Sequence, residues 1–190
     1  LVFLPGRGEI SAARQRLEGR VDAEVLTLHA GVAKAEQDRA LRSQGLRRII
    51  LATNVAETSL TIPGVRTVID SGLERRTHHR NGRTVLGLHP VAHSSAEQRA
   101  GRAGRLGPGF CLRLWGRQAR LEPFTPPEVL REELTDLLLA AGSAGVPAHR
   151  LEFPDTLPAH ALERASRRLR TMDAIEPSGR ITDYGRKLFR

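Results

Sequence analysis

The stretch Arg47–Ala52 constrains the fold more than any other, because Ile49, Ile50 and Leu51 follow one another without a polar break. A strand with no polar face belongs in a parallel sheet covered on both sides. Leu1–Leu4 reads as a second strand of this kind, closed by Pro5 and Gly6, and Glu9–Leu17 then reads as a helix. Val25–His29 is a further strand, followed by a polar helix over Ala35–Leu41, and Val65–Asp70 is another strand. After Gly107-Pro108-Gly109 turns the chain, Phe110–Trp115 completes the sheet. Strands alternating with helices predict an α/β domain over residues 1–120, with a parallel sheet and helices on both faces.

Two segments depart from that alternation. Arg75–Arg80 and Arg83–Leu88 flank Asn81-Gly82, a type I′ hairpin signal, and this hairpin is rich in Arg and His. His78-His79 has no Cys or carboxylate pattern beside it, so no metal site is expected. Past residue 120 the run Glu122–Pro127 reads as a linker into a second, smaller domain over 121–190. There Thr125 and Glu128 form a capping box ahead of a Leu-rich amphipathic helix stopped by Gly142. Pro158–Met172 is a second helix, Ile175–Ile181 a tight hairpin, and Thr182 or Asp183 caps a last helix. Helices followed by a small hairpin suggest a winged helix.

The chemistry concentrates in Ser94–Arg105. Ser94 and Glu97 again have capping-box spacing, which predicts a helix start. A helix continued through this stretch puts Gln98, Arg102 and Arg105 on one stripe and turns Arg99 away. Gly101 and Gly104 weaken such a helix but let a backbone or ligand come close. Two guanidiniums in register suit a polyphosphate. The plainer alternative is a solvated basic face.

The formal charge of +9 is unevenly spread: residues 1–120 carry 20 Lys+Arg against 10 Asp+Glu, and residues 121–190 carry 10 against 11. The basic excess therefore lies in the first domain and points to a polyanionic partner there. The −1 balance of the second part favours packing over nucleic-acid binding. Cys111 is alone, so no disulfide forms within the chain. No apolar run reaches the length of a membrane span and no signal-peptide pattern opens the chain, so a cytoplasmic protein is expected. A strand that begins at Leu1 without an initiator Met suggests a piece of a longer protein.

Gln98–Arg105 resembles motif VI of the superfamily 2 RNA helicases, and Ala52–Ile62 resembles motif V of their DEAH-box branch. Ile69–Arg75 is most similar to the bacterial HrpB-like group of that branch. The resemblance implies a RecA-like helicase C-terminal domain followed by a winged helix. It implies that Arg102 and Arg105 are arginine fingers on the γ-phosphate of ATP, that Gln98 contacts nucleotide or attacking water, and that Ser59 senses the γ-phosphate. Thr61 and Gly101 are placed at the nucleotide, and Leu41 takes the position of an adenine-stacking aromatic. Thr53, Asn54, Gly6, Arg7, Arg80 and Arg83 are implied contacts to single-stranded RNA.

The chain contains only two lysines, Lys34 after Ala33 and Lys187 after Arg186, and no Asp-Glu dipeptide, so it has neither a P-loop nor a DEAH motif. The resemblance places both, with most of the hold on ATP and Mg2+, in an upstream RecA domain of the same chain; these 190 residues alone should be inactive. Two other readings stay open: a DNA-directed superfamily 2 translocase, and a non-catalytic basic RNA-binding module.

Overall fold

The computed structural model describes residues 1–42, 47–57, 61–80, 83–105, 107–147 and 150–189, with the side chains of Arg80 and Arg83 excepted. The chain divides into two compact units: Leu1–Arg76 with Gly87–Thr125, and Thr77–Leu86 with Pro126–Arg190.

The first unit is built on five parallel strands. These are β1 (Val2–Phe3), β2 (Glu24–Leu28), β3 (Arg48–Ala52), β4 (Thr67–Asp70) and β7 (Phe110–Arg113), in the spatial order β2-β3-β1-β4-β7. The apolar strands supply the core: Phe3, Leu26, Leu28, Ile50, Ala52 and Val68 are buried together. Helices α1 (Arg7–Leu17), α2 (Lys34–Leu41) and α3 (His93–Gly101) flank the sheet, with α1 on β2 and β3, α2 on β2, and α3 on β4. The α/β architecture with a parallel sheet is the one expected from the alternation of strands and helices.

Register fixes what this sheet presents. Leu28 pairs with Ala52, Ala52 with Phe3, Phe3 with Asp70, and Asp70 with Arg113. All five strands therefore end at one level, and the segments that follow them gather at one edge, where open α/β sheets bind ligands.

The hairpin strands β5 (Leu73–Arg80) and β6 (Arg83–Pro90) pair with each other; β5 starts two residues earlier and β6 ends two residues later than the sequence suggests. The expected Asn81-Gly82 turn lies outside the described residues. In the second unit the single Leu-rich helix is two: α4 (Glu128–Arg131) and α5 (Thr135–Ser143). Pro127 occupies the N-cap of α4 with no side-chain cap, so Thr125 does not act as a capping box. Arg131 and Glu132 at the break turn to Thr77: Arg131 Nη1 donates to the Thr77 hydroxyl at 2.7 Å and to its carbonyl, and that hydroxyl donates to Glu132. Helix α6 (Ala159–Thr171) buries Ala161, Ala165 and Leu169, one face of the expected amphipathic helix. Ile175 and Ile181 bridge antiparallel, and Thr182 caps α7 (Asp183–Leu188) by accepting from the Gly185 N–H at 3.0 Å.

Candidate functional site

Helix α3 begins one residue before Ser94 and is not capped by it. Ala92 is the N-cap, and the first free N–H groups, of His93 and Ser94, donate to the carbonyls of Glu122 at 2.7 Å and Pro123 at 3.1 Å. A cap supplied by a distant segment leaves no local signature, which is why the Ser94–Glu97 spacing misleads.

The helix also ends early. After Gly101 the chain turns, so Arg102 and Arg105 stand on a turn and do not share a helical stripe with Gln98. Two successive glycines, Gly101 and Gly104, remove helix propensity where the continued stripe needs it most. An added Cβ at either glycine meets nothing within 4 Å. The close approach is at Gly109, where a Cβ would lie 2.3 Å from the Ala103 carbonyl oxygen and 2.6 Å from that of Arg66. That contact packs the end of the turn against the edge of the sheet.

The three arginines of this segment have three different environments. Arg99, 1% exposed, donates through Nε to Glu57 Oε2 and through Nη1 to Asp70 Oδ1, both at 3.0 Å, with Glu74 Oε2 3.8 Å from Nη2. Its guanidinium carbon stands 4.9 Å from the centre of the Phe3 ring. Asp70 is fully buried, and the same oxygen accepts the Gly72 N–H at 2.9 Å. A buried carboxylate ending a strand needs a cation, and Arg99 supplies it. Arg102, 5% exposed, donates through Nε at 3.0 Å and through Nη2 to the Glu57 carbonyl. Desolvation and the adjacent Arg105 lower the pKa of its guanidinium, and Glu57 opposes them. Arg105 is exposed and donates to the Thr61 hydroxyl at 3.1 Å.

The structure thus joins Arg105 to Thr61 and places Arg102 beside them, while Gln98 is exposed on the helix. Ser59 lies outside the described residues. Leu41 packs against the apolar core of the sheet. Arg99 and Glu57, which hold motif VI to motif V, are absent from the residues singled out in the sequence. Their signal was present: Asp70 closes the apolar strand Val68-Ile69, and such a carboxylate demands a partner.

The residues expected to touch nucleic acid sit at the carboxyl edge of the sheet. Thr53 follows β3, donates its N–H to the Leu28 carbonyl at 3.1 Å and opens a 3-10 turn over Asn54–Ala56 with Asn54 exposed. Gly6 follows β1 and is the N-cap of α1; a Cβ there would lie 2.7 Å from Arg75 Nε. Arg7 is exposed and reaches the turn after β2, with Nη1 3.2 Å from where a Cβ on Gly31 would stand. Burial and then Arg7 lower the pKa of His29, whose Nδ1 accepts the Gly31 N–H at 3.1 Å. The side chains of Arg80 and Arg83 lie outside the described residues.

An all-parallel sheet whose carboxyl edge carries motif V, with motif VI braced against it, defines a helicase C-terminal domain. The chain belongs to that family: the helicase conserved C-terminal domain matches residues 1–107. It is 38% identical over 198 residues to the ATP-dependent RNA helicase HrpB of Escherichia coli (strain K12), covering 99% of this chain and 24% of that protein. With the ATP-dependent RNA helicase HrpA of the same organism it shares 41% over 153 residues, covering 77% of this chain and 12% of that one. The crystal structure of the Escherichia coli DEAH/RHA helicase HrpB superposes with a TM-score of 0.90 at 36% identity, over 99% of this chain and 25% of that structure. The chain spans about a quarter or less of the length of these relatives.

Proposed function

We propose that this chain is the second RecA-like half of an ATP-dependent RNA helicase. It meets ATP with Arg105, Arg102, Gln98, Gly101 and Thr61, together with Ser59, and meets the backbone of single-stranded RNA with Thr53, Asn54, Gly6 and Arg7. The observation that carries this reading is the Arg105–Thr61 contact with Arg102 adjacent, which brings motif V and motif VI to one place. Phosphate oxygens fit that place: two guanidiniums and a hydroxyl offer donors, and the bound partner of Arg105 is a neutral hydroxyl that a phosphate readily replaces.

ATP supplies the phosphoryl group that is transferred to water; Mg2+ and most of the nucleotide belong, in this reading, to an upstream RecA domain of the same chain. No group of three or more His, Cys, Asp or Glu able to hold a metal stands among the described residues. The arginines stabilise charge on the transferring group, and the RNA contacts sit on the turn that leads to Glu57. Residues 121–190 act as a winged helix that packs against its neighbours.

The test is ATP turnover by the full-length protein, wild type and Arg105→Lys, with and without single-stranded RNA. Stimulation by RNA and a loss of at least about 10²-fold in the variant are expected, since lysine keeps the charge and loses the fork. Turnover indifferent to both RNA and the substitution overturns the motor and leaves a non-catalytic RNA-binding module. Stimulation by single-stranded DNA alone makes it a DNA-directed translocase.

A further inference from the structure

Glu57 ends the 3-10 turn that begins at Asn54; its N–H closes on the Asn54 carbonyl at 2.9 Å. Two different groups of this one residue reach two arginines. Its carboxylate accepts from Arg99 Nε, and its backbone carbonyl accepts from both Nε and Nη2 of Arg102. A single oxygen that takes both N–H groups of one guanidinium edge sets the plane of the whole fork, because that fork is rigid. The carbonyl is itself held in place. The Glu57 side chain is 10% exposed and bound to Arg99, which is in turn fixed by Asp70 and by the ring of Phe3.

We propose that Glu57 is a positioning residue for Arg102: its carbonyl orients the guanidinium, and its carboxylate, clamped by Arg99, holds that carbonyl in place. The inference rests on the reading of Arg102 as a γ-phosphate group and names what aims it. The donor is then set before the anion arrives and needs no reorganisation during the reaction. Arg102 is also desolvated and next to Arg105, a place where a cation gains from a polyanion.

The test is a double-mutant cycle in the full-length protein, with Glu57→Gln and Arg102→Lys alone and combined, read as RNA-stimulated ATPase. Glutamine keeps the shape and an oxygen for Arg99 Nε, so the fold survives where Glu57→Ala would leave Arg99 short of a partner. Glu57→Gln is expected to lower kcat about 10-fold with KM for ATP changed less than about 3-fold, and to cost under about 2-fold once Arg102 is lysine. Losses that multiply in the double variant overturn the proposal, because a residue that merely supports the fold weakens both backgrounds alike; an unchanged kcat overturns it too. A wild type without RNA-stimulated ATPase refutes the helicase reading itself. An active wild type with multiplying losses refutes only the role of Glu57.

Discussion

Two arginine-rich segments of this chain use the same side chain in opposite ways. Around the end of α3, Arg99 is enclosed by Glu57, Asp70 and Glu74, and Arg102 lies on a carbonyl. Along α6, Arg164, Arg167, Arg168 and Arg170 are all exposed, and Arg167 pairs with Glu163 one turn earlier in the same helix. The difference is water. An exposed guanidinium keeps its hydration, so a carboxylate one turn away adds only a few tenths of a kcal/mol. A buried one has lost that hydration and must be met by acceptors with good geometry. Arginine density therefore says little about role, whereas the place of the acceptor says much: the carboxylate of Glu57 comes from 42 residues before Arg99.

Substitutions that cut into each segment test this contrast. Arg99→Leu leaves Asp70 and Glu57 buried without their cation and is expected to lower unfolding free energy by about 3–5 kcal/mol in denaturant titration. A loss below about 1 kcal/mol would mean that water reaches the cluster, and the contrast would collapse. Gly109→Ala comes next, at about 2–3 kcal/mol by the same measurement, because its methyl group meets two backbone carbonyls that cannot step aside. Smallest is Arg167→Ala, expected within about 0.5 kcal/mol of wild type. A larger effect there would show that α6 has a partner beyond Glu163.

The central strands were legible in the sequence because burial on both faces writes itself as an apolar run, as at Ile49–Leu51, whereas the edge strand β7 keeps its apolar run with Phe110 and Leu112 exposed. Thr182 was legible because its cap is made within three residues. What the sequence hid depends on distant partners. The start of α3 is satisfied by carbonyls of Glu122 and Pro123, and a break after Arg131 divides the Leu-rich helix. At the site, the resemblance named Thr61 and Arg105, which the structure joins, and the helical pattern turned Arg99 away from the exposed Gln98, as observed; what it did not show is that the buried Asp70 and Glu57 are what Arg99 meets there, nor that the helix stops before Arg102. A periodic pattern describes a helix only while the helix lasts.

The strand order bears on how the sheet is assembled during synthesis. Of the five parallel strands β1 leaves the ribosome first, yet it sits in the middle, between β3 and β4. Both its neighbours come later in the chain, so pairing on its two sides waits until Asp70 has emerged. Until Ala52 has emerged Leu1–Leu4 is an apolar strand with two open edges, and until Asp70 it keeps one, the kind of segment that engages chaperones or pairs with another nascent chain. Contacts of such long sequence separation also slow folding. The centre of the sheet is thus the first part made and among the last to be closed.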